Sequence, residues 1–371
     1  MLAGCWDVVN IEDRGFIIGN AIDIEDEGNA KNPELAITNQ MVIPGMTAPS
    51  QNEGGEKNAF INYTSTGKSI YAMEEELASV SSNVPYFEHF AVLVVSEDVA
   101  RQEHLLSNLL DTYVRNVNLR RGIKVVVSGG KAKELLDYSP ADKKLPILHI
   151  EDILEKSSEQ VGFLKPKVIG DIEEFHLREN SYILPYLQLN EYINYIGGAV
   201  FHGPSNKMVG LFHEEEMEGL EMLKREHTTK IIEFPYKEKT FALKVVELDN
   251  KISVDPKNIN DINVTIDIEI KGIIKEAFNQ EDLTKPSEID SIQHAVSNKV
   301  EKTIQKTLKK GQEELGADVF DIWRELETKH YDTWKQVKDD WEKGEYYFKN
   351  VNFDVNVTTE IFSIGTTNKT K

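Results

Sequence analysis

Ile262-Asn263-Val264-Thr265-Ile266-Asp267-Ile268-Glu269-Ile270 alternates apolar and polar residues without a break. A period of two puts the branched aliphatics on one side of a β-strand and the polar groups on the other, so the stretch predicts a strand with one dry and one wet face. Downstream, Ile289, Ile292, Val296, Val300, Ile304 and Leu308 recur at steps of three and four and draw one narrow apolar stripe along a helix from Ser287 to Lys310. Ser287 is the expected cap of its start. Lys302, Lys306, Lys309 and Lys310 gather where the negative end of the helix dipole favours cations, and Gly311 is the expected stop.

The same two periods sort the flanking chain. Toward the C-terminus, short helical patterns over 318–328 and 332–341 precede a last alternating strand on Val351, Phe353, Val355 and Val357. Toward the N-terminus, strands are expected over 199–201, 208–212, 231–234 and 241–248, with a helix near 215–223. Further back, strand and helix alternate: strands over 16–23, 35–44, 59–63, 90–95 and 123–127, and helices from Ser69, over 98–114 and to about Leu136. Asp152 to Leu189 reads as short helical patterns broken by Pro166 and Pro185. Mixed sheets with covering helices make the expected class α+β, multi-domain, with a long amphipathic helix in the C-terminal part. The change of pattern near residue 196 divides 6–195, which has room for two subdomains, from 196–371.

Length and charge bound the function. A chain of 371 residues exceeds one ordinary core, and 63 acidic against 42 basic side chains leave a formal charge of −21. So negative a surface repels phosphate backbones and anionic headgroups, which argues against nucleic acid as a partner. No run approaches the roughly 20 apolar residues of a membrane-spanning helix. The single cysteine, Cys5, forms no internal disulfide and supports no multi-cysteine zinc cluster.

Catalytic and cofactor motifs fail on their spacing. Gly67-Lys68-Ser69 resembles the end of a phosphate loop, but the glycine required five residues before Gly67 is Asn62, and a tight strand-to-helix turn explains the sequence. Ser128-Gly129-Gly130-Lys131 lacks the third glycine of the dinucleotide fingerprint. His213-Glu214 would open a zinc-peptidase motif if position 217 were histidine, and it is Met217. His202 and His213 lack a third ligand, and Asp339-Asp340 is one of many acidic pairs in so acidic a chain. These failures imply no enzyme, no cofactor and no metal site.

Leu2-Ala3-Gly4-Cys5 is the sharpest local signal. Leucine and two small residues ahead of a cysteine are what the lipoprotein signal peptidase cuts, which makes Cys5 the expected lipidation site and 1–5 the remnant of a signal whose charged and apolar parts lie upstream. Gly4-Cys5-Trp6-Asp7, Ala21-Ile22-Asp23 and Gln40-Met41-Val42-Ile43-Pro44 then resemble the opening of the Ger(x)C spore germination receptor lipoproteins. The resemblance continues through Tyr63 to Ile70, His89 to Val95, Ala100-Arg101, Arg115, Arg120 and Gly130-Lys131-Ala132. It reaches Gly198-Ala199-Val200-Phe201, Val209-Gly210-Leu211, Gln312, Asp318, Trp334-Lys335 and Trp341, and so covers nearly the whole chain. Asn10, Ala21, Glu88 and Ile322-Trp323 depart from the residues usual in that family.

The resemblance implies a three-domain α+β protein, non-catalytic, anchored by lipid at the extracytoplasmic face of the spore inner membrane. It implies membership of a nutrient germinant receptor beside two integral membrane subunits of A and B type, and residues 196–371 as the C-terminal Ger(x)C domain. The alternative within lipoproteins is an extracytoplasmic solute-binding protein, which calls for two repeated lobes about a hinge.

Overall fold

A computed structural model describes residues 13–26, 32–43, 59–116, 119–156, 165–224, 231–277, 283 and 285–363. Cys5, with the rest of 1–12, lies outside the described residues.

The N-terminal elements are β1 (Arg14–Asp26), β2 (Glu34–Val42), β3 (Phe60–Gly67), α1 (Ile70–Val80), β4 (Val84–Tyr86), β5 (Val92–Ser96), α2 (Glu97–Arg101), α3 (Leu105–Arg115), β6 (Lys124–Ser128) and α4 (Ala132–Asp137). They continue with α5 (Pro146–Lys156), α6 (Ile169–Arg178), β7 (Tyr182–Leu189), β8 (Ile193–His202) and β9 (Lys207–Phe212). These nine strands form one mixed sheet of order β3-β2-β1-β5-β6-β7-β8-β9, with β4 beside β1. Pairing is parallel from β1 through β5 and β6 to β7, and antiparallel at both ends. Leu93 and Val95 pack with α1, α3 and α6 on one face, while Val92 and Val94 pack with α4 and α5 on the other. Covering on both faces is why β5 reads as an unbroken apolar run rather than an alternation.

The C-terminal elements are α7 (Glu214–Lys224), β10 (Ile231–Tyr236), β11 (Lys239–Asn258), β12 (Asp261–Ala277), α8 (Pro286–Lys309), α9 (Ile322–Lys329), α10 (Tyr331–Val337) and β13 (Asn352–Ser363). β10, β11 and β12 form an antiparallel meander, and β13 returns to lie parallel to β12. Ile262, Val264, Ile266, Ile268 and Ile270 are all buried, in one core with Ile292, Val296, Val300, Ile304 and Leu308 of α8. The alternation and the stripe are two sides of one apolar layer. The class is therefore α+β with helix-flanked mixed sheets and a long helix in the C-terminal part, as expected.

Four local expectations are corrected. The helix over 98–114 is two, α2 and α3, because His104 takes a left-handed φ of 59° and its amide donates to the Ser205 carbonyl at 3.3 Å. The end of the 152–189 stretch is not helical. It is β7, and Pro185 is tolerated there because β6 pairs β7 only at Tyr186 and Leu187. Ser287 does not cap α8: Lys285 holds that position, Pro286 is the first helical residue, and the Ser287 carbonyl accepts from the Ser291 hydroxyl. Gly311 does not end the helix, which widens into a π-turn over Lys310–Leu315 and closes at Gly316 with φ 63°. Gly311 is needed for space instead, since a Cβ there would stand 2.5 Å from Phe320 Cζ. Residue 196, where the change of pattern is expected, lies in β8, which pairs with β7 and β9 in the large sheet.

Candidate functional site

The described part of the chain gathers its unusual chemistry where the two sheets meet. Asp318 is 0% exposed and Glu342 is 4% exposed, and neither is paired with a cation among the described residues. Asp318 sits just ahead of α9, where its carboxylate accepts from the amides of Phe320 and Ile322 at 3.2 Å, of Trp323 at 2.8 Å, and from the Trp341 indole at 3.0 Å. Glu342 accepts from the Asp318 amide and from the Ser181 hydroxyl at 2.8 Å. Ser181, at the entry to β7, in turn accepts from the Gly203 amide at 3.0 Å. His202 at the end of β8 contacts the Glu342 carbonyl through Nε2 at 2.9 Å and Ser205 through Nδ1 at 2.8 Å. One polar network thus ties the β7 and β8 ends of the large sheet to the segment after α10.

Burial is the first cause of its electrostatics. It pushes the Glu342 carboxyl up to about 8, with the Asp318 charge adding to the effect, and pushes Asp318 up to about 6 against the Trp323 and Ile322 amides and the Trp341 indole that hold it down. Burial likewise lowers His202. Near neutral pH the network holds an anionic Asp318, a protonated Glu342 and a neutral His202.

Against this network, and lined in part by Trp341 and Glu342, a cleft of about 400 Å³ opens between the end of α6 and the α9–α10 region. Trp323, Trp334 and Trp341 form its floor, with ring centroids 6.4 Å and 5.8 Å apart in sequence. Its rim is made of ion pairs, Arg178 with Glu327 at 3.3 Å, Lys338 with Asp339 at 3.0 Å, and Glu179 with Lys343. No nucleophile and base meet in it, and no group of three or more His, Cys, Asp and Glu that could hold a metal occurs among the described residues.

The positions singled out from sequence have local tasks. Ser69 caps α1, its hydroxyl accepting from the Ala72 amide at 3.4 Å. Asn62, where a phosphate loop would need glycine, donates to the Leu136 carbonyl at 2.9 Å and to Asp137 at 2.7 Å, locking β3 to the end of α4. After Ser128-Gly129-Gly130-Lys131, the amides of Ala132 and Lys133 donate to Asp23 at 2.7 Å and 3.0 Å. An internal carboxylate occupies the place that an anionic ligand would take at that helix start. His202 and His213 do not meet: the His213 amide donates to Glu216 at 3.0 Å, far from the His202 partners. Asp339 and Asp340 lie in the short turn after α10, where Asp339 pairs with Lys338. Ser181 and Glu342 carry no sequence signal, because their bond joins residues 161 positions apart.

Residues 7–189 match the model of the spore germination protein N-terminal domain, and residues 196–365 match the model described as spore germination B3/GerAC like, C-terminal. The chain is 26% identical to spore germination protein YndF of Bacillus subtilis (strain 168), over 97% of this chain and 93% of that one. It is 25% identical to spore germination protein B3 of the same organism, over 99% and 96%, and 24% identical to its spore germination protein A3, over 99% and 95%. The fold is similar to the crystal structure of the GerBC protein, with a TM-score of 0.62 at 17% identity, over 92% of this chain and 97% of that one.

Proposed function

The chain belongs to the spore germination B3/GerAC family and has a role in spore germination, and from that premise we propose that it is the lipid-anchored, non-catalytic C subunit of a nutrient germinant receptor, held by Cys5 at the extracytoplasmic face of the spore inner membrane beside two integral membrane subunits. The observation that carries this reading is the match of both family models, in order, along nearly the whole chain, beside its similarity over 99% of its length to the relatives named B3 and A3. The chemistry of the described residues supports the non-catalytic part. Asp318, a wholly buried carboxylate, spends its oxygens on four structural donors and presents no free lone pair to a substrate. The domain reading proposed with it is a 6–195 N-terminal region and a 196–371 Ger(x)C region. The solute-binding alternative needs two like lobes, and a nine-stranded mixed sheet beside a four-stranded one supplies none.

The test is germination of spores in a strain carrying no other receptor set. Spores with Cys5→Ala should respond to nutrient as poorly as the deletion, metabolic fatty-acid label should mark the wild type and miss Cys5→Ala, and the wild type should co-purify with both integral subunits. A normal nutrient response in the deletion strain, or equal labelling of both proteins, would overturn the reading.

A further inference from the structure

The two edges of the four-stranded sheet are unlike. β10 has six residues and carries Pro235, whereas β13 has twelve, Asn-Phe-Asp-Val-Asn-Val-Thr-Thr-Glu-Ile-Phe-Ser, with no proline, glycine, lysine or arginine. Sheets ordinarily blunt an exposed edge by shortness, proline, lysine or a bulge. β13 keeps an unbroken register with β12 from Asn352 to Ile361, and no strand lies on its other side among the described residues. The Ile361 amide donates to Gln293 of α8 at 2.9 Å, so it points away from β12. Two-residue alternation aims the amides of Val355, Val357 and Thr359 to that same side.

Both faces beside this edge are unfinished. On the α8 side Val355 is buried but Phe353, Val357 and Ile361 are only partly buried, while Val264, Ile266, Ile268 and Ile270 of the neighbouring strand are at most 1% exposed. The apolar layer thins at β13 as if one strand short. On the open side, Asp354 and Glu360 share a face with Asp267 and Glu269 of β12 and Asp249 and Glu247 of β11, against Lys251 and Lys271. A segment entering there meets a row of amides and carbonyls, an apolar strip toward α8 and a negative field on the other face.

We propose that the β13 edge is a docking site for an extended segment of another protein, which adds a fifth strand with alternate apolar side chains against α8 and lysine or arginine against the acidic face. Backbone pairing would supply affinity and the charge pattern selectivity. The proposal stands apart from the receptor reading, since the purified chain would accept such a strand whether or not it serves a receptor.

The probe is a fluorescent peptide of alternating valine and lysine, as long as β13, titrated by polarisation against the full chain. Its controls are a valine–glutamate peptide and a valine–lysine peptide of equal composition with the two residues in separate blocks. The alternating lysine peptide should bind at least about tenfold more tightly than either control. Val357→Pro, which deletes an outward amide and no β12 bond, should weaken it by about tenfold or more. Asp354→Lys with Glu360→Lys should abolish the preference between lysine and glutamate peptides, and this surface variant decides the matter if Val357→Pro does not fold. Equal binding of alternating and block peptides, no binding, or indifference to both variants would overturn the proposal. So would a concentration-dependent dimer in ultracentrifugation that Val357→Pro abolishes, which would give the edge to a second copy of this chain.

Discussion

Asp318 and Glu342 are both buried carboxyls, yet the same amide substitution should treat them differently. Asp318 accepts from four donors, and an asparagine would turn an NH₂ against one pair of them, so Asp318→Asn should cost about 2–4 kcal/mol in denaturant unfolding. Glu342 is already neutral near pH 7 and accepts from two donors, which glutamine can match through its carbonyl and a rotated Ser181 hydroxyl. Glu342→Gln should therefore stay within about 1 kcal/mol of the wild type near pH 4, where the carboxyl is neutral in both the folded and the unfolded chain. Its effect lies in the pH profile. The folded-state value of about 8 stands above the ordinary 4.5, so the folded chain keeps a proton that the unfolded chain releases across that window. This stabilisation is complete below about 4.5 and is lost as pH rises through 8. Wild-type stability should fall between about pH 4.5 and 8 by up to about 1.4 kcal/mol per unit from this group, and Glu342→Gln should flatten the fall. Parallel profiles for the two proteins would contradict the assignment.

At the scale of elements, caps and glycines divide by what surrounds them. Ser69→Ala removes the hydroxyl that accepts from Ala72 and should cost about 0.5–1 kcal/mol, whereas Ser287→Ala should change stability by less than about 0.5 kcal/mol because Ser287 lies inside α8. Gly311→Ala should cost about 1–3 kcal/mol by pressing a methyl into Phe320, and the penalty should shrink in a Phe320→Leu background. Thermal melts of the four variants check this ranking. The elements also show what a sequence can tell about a fold. The 262–270 alternation and the α8 stripe were legible because each is a periodic half of one layer, and the pattern survives in the residues themselves. Pro185, Ser287 and Gly311 misled because their meaning is set by distant contacts: where β6 stops pairing, where Pro286 starts a helix, and how near Phe320 comes. The Ser181–Glu342–His202 network was illegible for the same reason, while the broken motifs at Asn62 and Met217 were readable because spacing alone decides them.

For the whole molecule, the junction sets cooperativity. Ile183, Val200 and Phe212 of the large sheet belong to the same apolar core as α8 and β12, and the Ser181–Glu342 bond crosses beside them. The two regions should unfold in one transition. Trp323, Trp334 and Trp341 all lie C-terminal to that junction, so tryptophan fluorescence weights the C-terminal region while far-UV dichroism reports both. The two melts should coincide within about 2 °C, and a gap above about 5 °C would show that the regions come apart separately.

The parallel pairing of β12 with β13 also has a consequence in time. Asn356 meets Asp267 across 89 residues of chain, and everything from α8 to α10 is made between them. During synthesis the meander of β10 to β12 therefore waits with one side of β12 unpaired until the last strand emerges, and closing so long a loop is slow. A premature stop just before Asn352 would remove little mass, yet it would leave that wait without an end. Such a product should meet the proteases as an unfinished chain rather than persist as a shortened one.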